Sequence, residues 1–182
     1  MKKKILISTG GSGGHVIPAS ILYDHLKKDN EVVICTDIRG NKYLNNNLSN
    51  FKIINTPKLN NIFLLPLNIL IILKLIFKSY FLLRKEKISK LISTGGYMSL
   101  PLILAGKILR LKIYLLEPNL VLGRTNRFFL NSCDKIFCYS KELKNFPEKF
   151  KDKIVEIYPL VRKEFYKQDL KNDNKDYFNF LI

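Results

Sequence analysis

Acidic side chains are scarce in this chain. It has 15 Asp and Glu against 31 Lys and Arg, a formal net charge of +16 over 182 residues. Part of that excess follows from a chain crowded with Lys, Ile and Asn. The remainder predicts an anionic partner, which would be a membrane surface, a nucleic acid or a phosphorylated substrate. Cysteine is also sparse. Cys35, Cys133 and Cys138 make an odd number with no C-x-x-C pair, so neither a disulfide framework nor a zinc site is indicated, and a reducing cytosol fits. A long apolar run is missing too. In the most apolar region the longest stretch without a charge, 59–73, is 15 residues with a proline and three asparagines in it. A span needs about 20 apolar residues. Extending the stretch would enclose Lys74 and Lys78, at ~2.5–3.5 kcal/mol each near a bilayer centre, so a clean transmembrane helix is not expected. The basic start at Lys2-Lys3-Lys4 leads into an apolar run of only about five residues, too short for a secretory leader. No RRM, KH or helix-turn-helix signature accompanies the charge, so no nucleic acid is expected as partner.

Against these absences, glycine is concentrated. Gly10, Gly11, Gly13 and Gly14 fall within five positions, in Ser8-Thr9-Gly10-Gly11-Ser12-Gly13-Gly14-His15. The run Lys4-Ile5-Leu6-Ile7 before them reads as a buried first strand, and Ile17, Ile21, Leu22 and Leu26 after them recur at helical spacing, so a helix opens near His15. Strand, glycine turn, helix is the geometry that aims unpaired N–H groups and a positive helix end at an anion. The two common phosphate motifs do not fit. G-x-G-x-x-G started at Gly11 would need glycine at Val16, and a P-loop would need Gly-Lys-Ser/Thr where Gly14-His15-Val16 stands. His15 is therefore the distinctive residue, either a base or donor at the mouth of the turn or a residue that only caps the helix.

The device recurs. Lys90 to Thr94 is a strand, Gly95-Gly96-Tyr97 a second glycine turn, and Ser99 to Leu109 a helix with Pro101 in its first turn, where proline is tolerated. Further strands are expected at 31–36, 51–55, 112–116, 135–139 and 154–157. Short helices are expected at 123–131 and 141–146, and a loop with a short helix at 37–50. The polar cluster Glu117-Pro118-Asn119 follows a strand, where ligands bind in open parallel sheets. Alternating strands and helices predict an α/β fold, a Rossmann-like parallel sheet with helices on both faces. Residues 61–84 are the most apolar part. Lys74, Lys78 and Lys85 share one helical face there, which suits a helix packed on the sheet on one side and lying at an anionic membrane surface on the other, over residues 62–90. Residues 167–176 read as a linker and 177–182 as a strand of a further domain.

Three motifs in order resemble the N-terminal half of the MurG family: Gly10-Gly11-Ser12-Gly13-Gly14-His15 with Pro18, Gly95-Gly96-Tyr97-Met98-Ser99 with Pro101, and Glu117-Pro118-Asn119 with Gly123, Thr125 and Asn126. The resemblance covers about residues 3–166. It implies the N-terminal domain of a two-domain GT-B glycosyltransferase of peptidoglycan synthesis, with no cofactor and no metal. It implies transfer of N-acetylglucosamine from UDP-N-acetylglucosamine to the muramyl sugar of an undecaprenyl-diphosphate-linked muramyl-pentapeptide, with inversion, at the cytoplasmic face of the bacterial inner membrane. Residues 1–166 would be the acceptor- and membrane-binding domain. Residues 167–182 would open a donor-binding domain missing from the chain, so that the chain alone would be weakly active or inactive and a separate C-terminal half would be its partner. The alternative is a non-catalytic membrane-recruiting half of a two-chain glycosyltransferase.

Residue by residue, the resemblance makes His15 the base or orienting group for the acceptor hydroxyl. It places Glu117 beside His15 in the catalytic set, with Glu117 and Tyr97 lining the acceptor pocket. Ser12, Gly13 and Gly14 would line the donor or diphosphate site, Gly95 and Gly96 would help cradle the diphosphate, Asn119 and Arg162 would contact donor, and Asn126 would belong to the same substrate-binding set. The family usually has threonine at Ser12 and glutamine at Pro118. It reads Gly-Asn-Pro-Val-Arg where this chain has Ile157-Tyr158-Pro159-Leu160-Val161-Arg162.

Overall fold

In a computed structural model, described over residues 3–44, 51–57 and 65–162, the apolar runs form seven parallel strands. They are β1 (Lys4–Ser8), β2 (Glu31–Thr36), β3 (Phe51–Ile53), β4 (Lys90–Ser93), β5 (Lys112–Glu117), β6 (Lys135–Cys138) and β7 (Ile154–Glu156). Their order in the sheet is β3-β2-β1-β4-β5-β6-β7. The helices are α1 (Gly13–Leu26), α2 (Ile38–Asn41), α3 (Leu65–Lys85), α4 (Ser99–Ile108) and α5 (Arg124–Phe129). The chain steps outward from β1 to β3, then crosses back through α3 to lay β4 on the other side of β1. Strand order therefore reverses between β1 and β4, and the crevice beyond the carboxyl ends of that pair is where open α/β sheets bind ligands.

Side chains alternate across the strands, and each face has its own core. Ile7, Val32 and Ile34 pack under Val16, Ala19 and Tyr23 of α1. Leu6, Leu91, Ile113, Leu115 and Ile136 pack with Leu83 of α3, Leu102 and Ile103 of α4, and Phe129 of α5. Helices thus cover both faces, as the alternating pattern predicts.

Four local expectations change. Residues 141–146 form no helix. Their backbone bonds go sideways instead: Lys144 N–H donates to Leu120 O at 2.8 Å, and Lys144 O accepts from Leu122 N–H at 3.3 Å. Asn145, at φ 62°, takes the left-handed region, and Pro147 disfavours helix at the residue before it. A 3-10 turn at Glu148–Lys153, absent from the sequence reading, carries the chain into β7. The first helix opens at Gly13 rather than His15, and the third strand stops at Ile53. The linker and strand expected over 167–182, and residues 62–64 of the membrane stretch, lie outside the described residues.

α3 is unusual in what it hides. It buries Asn68, Ile72, Ser79 and Leu83 and exposes Leu67, Leu70, Phe77 and Phe81. Over Pro66–Lys85 its mean hydropathy is 1.7, enough by length and composition to cross a membrane. Its buried side is nevertheless occupied by the domain's own core, through Ile76, Tyr80 and Leu83. The opposite face mixes exposed Leu70, Ile71, Phe77 and Phe81 with exposed Lys74, Lys78 and Lys85.

Core and outer face predict different sensitivities. Leu115→Ala, in the fully buried centre of β5, is expected to cost ~2–5 kcal/mol in chemical denaturation. Leu70→Ala, on the outer face of α3, is expected to change stability by less than about 0.5 kcal/mol. Equal losses would mean that α3's outer face is packed in the folded domain.

Candidate functional site

The first glycine turn grows from the end of β1. Thr9 N–H donates to Cys35 O at 2.9 Å, which holds the turn against β2. The chain then reverses through Gly11, at φ 87°, a conformation that L side chains rarely adopt. Ser12 is the N-cap of α1 in an extended conformation, and its side chain caps nothing. The first turn of α1 therefore leaves the N–H groups of Gly13 and Gly14 without intrahelical partners, at the positive end of a 14-residue helix.

One residue that the sequence reading left in a loop holds this turn. Asp37 Oδ1 accepts from the N–H groups of Gly11 (2.9 Å) and Gly40 (2.7 Å), while Oδ2 accepts from Arg39 Nε and Nη2 at 3.2 and 3.1 Å. Burial works to raise the Asp37 carboxyl. The two backbone N–H groups and the Arg39 guanidinium outweigh it, and the carboxyl settles below its ordinary range. The signal was available, because an Asp directly after a strand and before a polar stretch is an N-cap, and Asp37 caps α2.

The second turn, after β4, runs through Gly95 (φ 100°) and Gly96 (φ 90°). Hydroxyls stitch it to the first. Thr94 Oγ1 donates to Thr9 Oγ1 at 2.8 Å and Ser8 Oγ to Ser99 Oγ at 2.8 Å, while Ser99 Oγ also reaches Gly95 O at 3.1 Å. The two backbones nearly touch. A β-carbon on Gly96 would stand 2.8 Å from Gly10 O, and one on Gly95 would stand 2.9 Å from Cε1 of His15. The imidazole of His15 thus lies on the second turn while its backbone belongs to the first. Its Nδ1 is buried and has no hydrogen-bond partner among the described residues, which is an unstable arrangement unless a ligand or water supplies one.

The third motif is differently built. Glu117, 1% exposed, takes four N–H groups: Asn119 N (3.3 Å) and Nδ2 (2.9 Å) on Oε1, Gly123 N (2.8 Å) and Asn126 Nδ2 (3.0 Å) on Oε2. Asn126 is buried and also donates to Leu116 O at 3.1 Å. A carboxylate has about four lone-pair sites, so Glu117 has none left for a substrate. It staples the loop 117–126. Asn119 is exposed with its amide turned onto Glu117, and Arg162 is exposed past β7 with no bond to the other site residues. Tyr97 is half-exposed and lines a pocket of about 240 Å³ with Leu100, Arg124, Thr125, Phe128 and Phe129. Burial pushes the thiols of Cys35 and Cys138 up to about 12, so neither is a nucleophile near neutral pH.

A doubly wound parallel sheet with two glycine turns meeting at its switch point defines a Rossmann-like α/β domain. Residues 5–138 match the glycosyltransferase family 28 N-terminal domain, and the chain belongs to that family. It is 55% identical, over its whole length and 51% of the relative's, to the UDP-N-acetylglucosamine--N-acetylmuramyl-(pentapeptide) pyrophosphoryl-undecaprenol N-acetylglucosamine transferase of Pelagibacter ubique. To the protein of the same description from Rickettsia akari it is 37% identical over 92% of this chain and 44% of that one. The chain spans about half the length of the curated relatives it matches. The fold is similar to the crystal structure of Acinetobacter baumannii MurG, with a TM-score of 0.72, 21% identity and coverage of 93% of this chain and 50% of that one. It is less similar to S. aureus MnaA with UDP, at a TM-score of 0.60 and 14% identity over 85% and 43% of the two chains.

Asp37 is expected to show its role in acid. Its lowered carboxyl contributes stability that is fully present above the unfolded value of about 4 and is lost as pH falls through the lower folded value. Asp37→Ala should be ~1–3 kcal/mol less stable than the unaltered chain at pH 7, with the gap narrowing below about pH 4. A gap that is constant with pH in urea denaturation would contradict this role.

Proposed function

We propose that this chain is the acceptor-side part of an inverting N-acetylglucosaminyltransferase. The donor is UDP-N-acetylglucosamine and the acceptor is the muramyl sugar of an undecaprenyl-diphosphate-linked muramyl-pentapeptide. The observation that carries this reading is the meeting of the two glycine turns at the switch point, with the open end of α1 and His15 between them. Family membership and the printed activity of the 55%-identical relative support it. The free N–H groups of Gly13 and Gly14 suit a diphosphate, which brings two negative phosphates to one end of a helix dipole. Ser12, Gly95, Gly96 and Tyr97 line the same mouth.

In the transfer, the acceptor hydroxyl oxygen bonds to the anomeric carbon from the face opposite UDP. The bond to UDP breaks, and the hydroxyl proton passes to His15, whose Nδ1 has no competing partner among the described residues. Glu117 and Asn126 act as positioning residues that hold the loop carrying Asn119, rather than as a base or a pocket wall. Asn119 and Arg162 stand on the donor side. Most donor contacts come from the half of the relatives that this chain does not span, and the division near residue 166 belongs to this proposal. The outer face of α3 rests on the cytoplasmic leaflet, its apolar side chains in the interface and its lysines on anionic headgroups.

Joined to the remaining half of the P. ubique relative, the chain is expected to transfer radiolabelled N-acetylglucosamine, and His15→Ala to lower kcat by ~10²-fold or more. An unchanged rate in His15→Ala, or full turnover by residues 1–182 alone, contradicts the proposal.

Membrane contact has its own check. The pair Lys74→Glu and Lys78→Glu should weaken sedimentation with phosphatidylglycerol vesicles by tenfold or more, at about 1 kcal/mol per basic residue. Equal binding to zwitterionic and anionic vesicles contradicts the role of these lysines.

A further inference from the structure

The pocket behind Tyr97 has a chemical character that the glycine turns do not account for. Its walls are Leu100 of α4 and Phe128 and Phe129 of α5, and its rim carries Tyr97, Thr125 and Arg124. Phe129 is fully buried and meets Phe128 edge-on, with ring centroids 5.0 Å apart, so the exposed Phe128 (69%) is held at the mouth by a fixed neighbour. Arg124 is exposed and makes no ion pair among the described residues. An apolar slot with one free cation at its rim suits a molecule with an anionic head and a hydrocarbon stem.

Its place in the fold narrows the choice. Tyr97 directly follows Gly96, so the slot opens one residue from the second glycine turn. α4 begins at the carboxyl end of β4, and α3 ends just before β4 begins, so both helices start at the same end of the sheet. The exposed Leu67 and Leu70 in the first turns of α3, together with Leu120 and Phe128, therefore lie at the end that carries the turns. The pocket and these exposed apolar side chains of α3 thus share one end of the sheet.

We propose that this pocket takes the first isoprene units of a prenyl diphosphate, next to the phosphates held by the glycine turns. The inference rests on the diphosphate reading given above and adds to it a site for the stem. Leu100, Phe128 and Phe129 cover the hydrocarbon, and Arg124 faces the phosphate nearest to it. At about 240 Å³ the pocket holds a short branched segment and not a whole polyprenyl chain, so the rest of the tail leaves along α3. Selection for a prenyl stem would then be made in the protein, where the tail emerges from the bilayer.

Isothermal titration of residues 1–182 with farnesyl diphosphate and with inorganic diphosphate separates the two claims. Burying isoprene carbons predicts at least tenfold tighter binding of farnesyl diphosphate. Phe128→Ser, a surface change not expected to alter folding, should remove most of that advantage and leave inorganic diphosphate binding unchanged, with an unaltered Tm. Equal affinity for the two ligands, or an advantage that survives Phe128→Ser, overturns the pocket while the diphosphate site stands. Failure to bind either ligand overturns both.

Discussion

Gly96 sits against Gly10 with no room for a side chain between them: a β-carbon there would stand 2.8 Å from the Gly10 carbonyl oxygen. This contact is the constraint on which the rest of the site depends. It arises because β1 and β4 are neighbours in the sheet although 81 residues lie between them, from Thr9 to Ser89. The crossover through α3 makes them neighbours, and the Thr94–Thr9 and Ser8–Ser99 hydroxyl bonds draw the two turns together above the strands. Positive φ at Gly11, Gly95 and Gly96 then lets the two backbones turn within contact of each other. His15 is carried on one turn and packed on the other, so its position reports on the fit of the two.

The same economy governs α3. As the crossover it must pack on the sheet, and it does so with a side that includes Asn68 and Ser79, leaving Leu70, Phe77 and Phe81 outside with Lys74 and Lys78 among them. A helix of an ordinary water-facing domain would be turned the other way. Its orientation and the net charge of +16 are the two features on which the proposed membrane contact rests.

Much of the fold could be read from residue pattern. Buried parallel strands appear as unbroken apolar runs such as Val32-Val33-Ile34-Cys35, and glycine pairs mark where they end. Both glycine turns and their helices were readable for that reason. Their mutual contact was not, because it depends on strand order, which no local window contains. Residues 141–146 misled because a short polar-apolar stretch satisfies a helical template, while its actual bonds go to residues 120–122. Asp37 and Glu117 err in opposite directions. Asp37 passed for loop polarity although its carboxylate holds the first turn. Glu117 stood in the catalytic set through the family resemblance, and its four N–H donors, which no local window contains, make it the staple of its loop.

The central claim is that the two turns form one anion site. Amide NMR of residues 1–182, titrated with inorganic diphosphate, tests it directly. The account predicts that the resonances of Gly13, Gly14, Gly95 and Gly96 move together with one dissociation constant. Movement of one turn alone, or of the two with different constants, would contradict it.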